Sequence, residues 1–119
     1  MVEPKDGVEV DVDGLKICVP FAVRRVDSTT NLKLLLLDPD VYLADQRYRE
    51  TRRAGSPALR NLQAFGNDGV KVWEAELPEP GDYYYELLSV SPIEALSFSG
   101  YRCVISATDG RLLTKQFLK

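Results

Sequence analysis

The chain has 119 residues, 45% of them hydrophobic and 28% charged, with a formal net charge of -3, a balance typical of folded globular domains and far from disordered or membrane-spanning ones. Such a length buries a core without help from disulfides or metals, so residues 1–119 are expected to form one domain. The acidic balance disfavours general nucleic-acid binding, no apolar run approaches the roughly 18 residues of a membrane helix, and the absence of histidine removes the usual general base near neutral pH and the commonest transition-metal ligand.

From the N-terminus, MVEPKDGVEV shows no basic stretch followed by an apolar one, so no signal peptide is expected. The compartment follows as cytoplasmic if Met1 is native, or extracellular if the chain is a domain of a longer secreted protein. Segment 7–23 alternates: Val8, Val10 and Val12 share one face, Glu9 and Asp11 the other, and Leu15, Ile17, Val19, Phe21 and Val23 resume the pattern after Asp13-Gly14. This predicts a β-hairpin, with Pro20 facing outward at an edge or bulge. NLKLLLL at 31–37, ended by Asp38-Pro39-Asp40, reads as a strand buried on both faces.

Something must cover the second face of that strand. Ser56-Pro57 followed by Leu59, Leu62, Phe65 and Gly66 has the cap, proline and apolar spacing of a short helix over 57–65, which would supply the cover. Residues 41–53 are left as either one or two helical turns or an irregular loop. From Gly69 the strand pattern returns in VKVWEAEL, YYYELLSV, SGYRCVISA and RLLTKQFL. The sum is an all-β, antiparallel sandwich of about seven or more strands, with an insert at 41–68 that is partly helical.

Three stretches, LLLLDPD at 34–40, LPEPGDYYYEL at 77–87 and SGYRCVIS at 99–106, resemble the jelly-roll domains appended to bacterial secreted peptidases, the pre-peptidase C-terminal type. That resemblance rests on turn and strand residues and implies a sandwich fold rather than a chemistry. The chain departs from it in the insert 41–68 and in the strand after Asp109-Gly110. A second resemblance is to the last two strands of an immunoglobulin domain, carried by Tyr101, two residues before Cys103, and the strand that follows. It implies Cys18 as the partner cysteine. The tryptophan which that pattern needs soon after the first cysteine is missing, and alternation separates the thiols, so two reduced cysteines packed as small hydrophobes is the competing reading.

Candidate sites compete with simpler roles. Glu9, Asp11, Asp13 and Gly14 imitate the start of a calcium loop, but Pro20 stands where the closing carboxylate belongs. Asp38, Asp40 and Asp45 could offer oxygen ligands, although turn chemistry and helix capping by Asp40 explain them more simply. In YYYELLSV, alternation puts Tyr83, Tyr85 and Leu87 in the core and Tyr84 outside, so that exposed Trp73 and Tyr84 would be needed for a sugar-stacking platform. RYRETRRAGSPALR holds five arginines and one glutamate in a connection longer than usual, and long loops often carry function. The expectation is therefore a non-catalytic interaction or structural module without a cofactor. Its partner is a protein contacted through Arg47, Tyr48, Arg49, Arg52, Arg53 and Arg60 by bidentate hydrogen bonds. An immunoglobulin-like recognition domain and a glycan-binding accessory module are the alternatives.

Overall fold

A computed structural model describes residues 7–53 and 59–118. The described residues form ten strands and two short helices: β1 (Val8–Val12), β2 (Leu15–Val19), β3 (Val23–Ser28), β4 (Lys33–Leu37), α1 (Pro39–Ala44), α2 (Gln46–Arg53), β5 (Leu62–Phe65), β6 (Lys71–Glu74), β7 (Tyr84–Val90), β8 (Ile93–Ser97), β9 (Tyr101–Ile105) and β10 (Leu112–Phe117). They make an antiparallel β-sandwich with a helical insert. One sheet runs β3-β4-β5-β6, the other β10-β9-β8-β7, and β1-β2 is a separate hairpin.

The three layers follow from where the apolar side chains point. In β4, Leu34 and Leu36 join Leu62, Ala64 and Trp73 of their own sheet and Tyr84, Leu87, Ile93, Ala95, Cys103 and Ile105 of the other, forming the sandwich interior. Leu35 and Leu37 point the opposite way and pack with Phe65 under Val12, Ile17 and Val19 of the hairpin. The doubly buried strand is thus covered by β1-β2, with Asp13 at φ 55 and Gly14 at φ 84 making the tight turn. No helix spans 57–65. Residues 57 and 58 lie outside the described residues, and Leu62–Phe65 pair with β4, Leu36 opposite Leu62 and Leu34 opposite Ala64. The helical spacing of Leu59, Leu62 and Phe65 yields to this pairing because each β5 side chain finds a buried place on one face or the other.

Asn61, just before β5, ties the two large sheets together. Fully buried, its side-chain nitrogen donates to Leu37 O (3.0 Å) and Tyr84 O (2.6 Å), while its oxygen accepts from Tyr84 N (3.0 Å). Tyr84 is consequently interior, correcting the alternation read from the sequence. β7 carries register shifts between Tyr84 and Glu86 and between Leu87 and Ser89, so Tyr84 and Leu87 face inward and Tyr85 is exposed. Trp73 is also buried, its indole donating to Ala107 O at 3.0 Å. The exposed Trp73 and Tyr84 of a sugar platform are therefore not formed. Both cysteines are free: Cys18 is exposed on the hairpin, Cys103 sits between the large sheets, and sheet layers about 10 Å apart exceed the reach of a disulfide.

Candidate interaction surface: an aromatic row beside a basic helix

The insert folds back onto the end of the sandwich. Asp38 is the N-cap of α1, accepting from Asp40 N at 2.9 Å, with Pro39 in the first turn; the capping role expected of Asp40 belongs to Asp38. A six-residue helix has little stability of its own, and α1 is held by burying Tyr42. α2 is held similarly by Tyr48, buried while Arg47, Arg49 and Glu50 are exposed. Its four arginines stand against one glutamate.

Tyr42 is the hub of a row of rings drawn from distant parts of the chain. Its centroid lies 5.7 Å from Phe21, 4.9 Å from Tyr48 and 6.5 Å from Tyr83. Tyr83 in turn stacks on Phe98 at 4.9 Å with 18° between the planes. Phe98 is 67% exposed, and Phe21 and Tyr83 are partly so. The row therefore runs from the interior of the insert to an open aromatic face in the turn between β8 and β9. Burial, followed by the nearby Asp40 and Asp82 carboxylates, pushes the Tyr83 hydroxyl above its ordinary pKa, so it stays a neutral phenol at neutral pH.

Charged groups frame this row in fixed geometry. The Arg47 guanidinium sits 5.9 Å from the Phe21 centroid and grips Asp45 with two bonds, Nε to Oδ1 at 3.0 Å and Nη2 to Oδ2 at 2.6 Å. That bidentate contact holds the Asp45 carboxyl down at about 2. Arg24 donates to Asp38 (2.9 Å), Asp40 (2.7 Å) and Tyr85 O (3.3 Å). Arg49 donates to Ala44 O at 2.9 Å. Asp38, Asp40 and Asp45 are thus engaged by arginines, and Asp13 by Lys33 and Ser28.

The expected site residues separate into three groups. Arg47 and Arg49 are presented outward on α2, which also carries Arg52 and Arg53, whose side chains lie outside the described residues. Tyr48 points inward and seats the helix. Arg60 is exposed but lines other surfaces: a cleft of about 400 Å3 with Glu74, Glu76, Asp109 and Arg111, and one of about 360 Å3 formed with Glu76 and residues 77–81. Phe21, Arg24, Tyr42, Tyr83 and Phe98 were missed as site residues. The one local signal for them is a large ring placed in or next to a turn, as in Ser97-Phe98-Ser99-Gly100 and Gly81-Asp82-Tyr83.

A three-layered antiparallel sandwich, with an arginine-bearing helical insert docked on a partly open aromatic row, defines the class of this protein. Within that class the chain belongs to the family described as Domain of unknown function (DUF7957), whose family model matches residues 5–117. No curated protein and no solved structure matches it.

Proposed function

We propose that the protein is a non-catalytic interaction module that contacts an acidic face of a protein partner through α2 and the aromatic row. The observation that carries this reading is the union of the Tyr83–Phe98 stack, its Phe98 ring exposed and its Tyr83 ring partly so, with exposed arginines on a packed helix. Aromatic residues and arginine are the types enriched in interface cores, and rigid rings lose little entropy on contact. Arg49, exposed and held through Nη2 by Ala44 O, is a planar donor suited to a carboxylate, and Arg47, paired with Asp45, adds positive charge beside it.

The test is site-specific photo-crosslinking in extract of the source organism, with the crosslinker placed at position 49, 98 or, as a remote control, 11. One protein captured from 49 and 98 but not from 11, and lost when Arg47 and Arg49 are both changed to serine, is the expected result. Equal capture from all three positions, or none from 49 and 98, overturns the reading.

A further inference from the structure

The edges of the two large sheets are treated unequally. β3 and β7 close on each other: Arg24 and Arg25 donate across to Tyr85 O and Leu87 O, the latter at 2.8 Å. β6 is only four residues long, and the chain just after it is tied to the 106–112 loop by Glu76 N donating to Gly110 O at 2.9 Å and by Leu112 N donating to Glu76 Oε1 at 2.8 Å. β10 is different. Five of its six residues pair with β9, Leu113 lying in a bulge between Leu112 and Thr114, and among the described residues no strand pairs with its other side; Leu113, Thr114, Lys115, Gln116, Phe117 and Leu118 are all exposed.

Open edges of this kind are templates for a further strand. Leu118 N donates to Gly100 O at 2.9 Å. In the register Thr114–Val104, Lys115–Cys103, Gln116–Arg102, Phe117–Tyr101, alternate residues bond to β9, so the amides and carbonyls of Lys115 and Phe117 point outward. Lys115 and Phe117 also share a side-chain face: the Lys115 ammonium is 5.0 Å from the Tyr101 ring centroid and the Phe117 ring 5.3 Å. That ammonium donates to Pro78 O at 3.0 Å and has no carboxylate in ion-pair range among the described residues. Residues 110–118 contain Arg111 and Lys115 and no acidic side chain.

We propose that β10 receives an extended segment of a partner protein as an added strand, with a carboxylate opposite Lys115 and an apolar side chain opposite Phe117. For an antiparallel addition this reads as an apolar residue two places before an acidic one. A second copy of the chain fits less well: twofold pairing centred on Lys115 sets it opposite itself, where like charges destabilise, and pairing centred on Thr114 sets it opposite Leu113, with no carboxylate to meet it. This surface is independent of α2 and the aromatic row.

The probe is a capped peptide, Thr-Val-Thr-Glu-Thr-Val-Thr, titrated into the 15N-labelled full chain and followed by amide shifts. Controls are the same peptide with lysine in place of glutamate and one with alternate amides N-methylated, which keeps the charge and removes the strand's donors. Expected are shifts concentrated in residues 113–118, binding of the glutamate peptide roughly two- to fivefold tighter than the lysine peptide, reversal of that preference in Lys115→Glu, and loss with the methylated peptide. Shifts elsewhere, binding that survives N-methylation, no shifts at millimolar peptide, or concentration-dependent broadening of 113–118 without peptide, the sign of self-pairing, each overturns the proposal. Arg47→Ser with Arg49→Ser is expected to leave this titration unchanged.

Discussion

At Gly110 the backbone is left-handed, with φ +76, and a Cβ there would stand 2.6 Å from Trp73 Cε3 and 3.0 Å from Glu74 O. Neither neighbour yields easily, since the indole is buried and bonded to Ala107 O and the other atom is backbone. Gly110→Ala is expected to cost about 2–3 kcal/mol, combining left-handed strain with overpacking, and to shift Trp73 emission. An unchanged denaturation midpoint would refute the packing described for this loop. Asp45 makes a second residue-scale prediction. Its folded pKa, about 2, lies below the ordinary 3.8, so its contribution is complete above about pH 4 and disappears as pH falls through about 2. An NMR titration of the Asp45 carboxyl should give a midpoint near 2, rising toward 3.8 in Arg47→Ser; the same midpoint in both proteins would mean that Arg47 does not hold it.

Among the elements, the joint at Asn61 matters most for keeping the two large sheets in register. Asn61→Ala would strand Leu37 O, Tyr84 O and Tyr84 N in the interior, and at the lower end of the roughly 1–3 kcal/mol for each unsatisfied buried group the loss is about 3 kcal/mol or more, read as a lower urea midpoint. A loss below 1 kcal/mol would show that water replaces the amide. The hairpin, β4, β6, β9 and β10 were legible in the sequence because their apolar and polar residues alternate, or run together, over the length of a strand. β3 was not, since Arg24 and Arg25 interrupt its pattern in order to reach the β7 carbonyls across the sandwich. β5 masqueraded as helix because its pairing is long-range, and β7 lost its phase at bulges that leave no local signature. The basic segment was legible, but the aromatic row was not: Phe21, Tyr42, Tyr48, Tyr83 and Phe98 meet only through tertiary folding.

For the whole molecule, two cores share one sheet, and β4 contributes Leu34 and Leu36 to one and Leu35 and Leu37 to the other. The hairpin reaches the rest of the chain chiefly through the outer core, whereas the sandwich interior is closed by two four-stranded sheets, Asn61 and the arginines of β3. Val19 is 2% exposed in the outer core, beside Leu35, Leu37 and Phe65. Val19→Asp places an unpaired charge there, for which about 3 kcal/mol or more is the expected cost. Because that charge touches the hairpin's seat and not the sandwich interior, the damage should be graded. Amide hydrogen exchange is expected to accelerate most in β1 and β2, next in β4 and β5, and least in β8 and β9. Equal acceleration in all ten strands would mean that the layers unfold as one cooperative unit, and that the hairpin is as much a part of the global core as the sheets it covers.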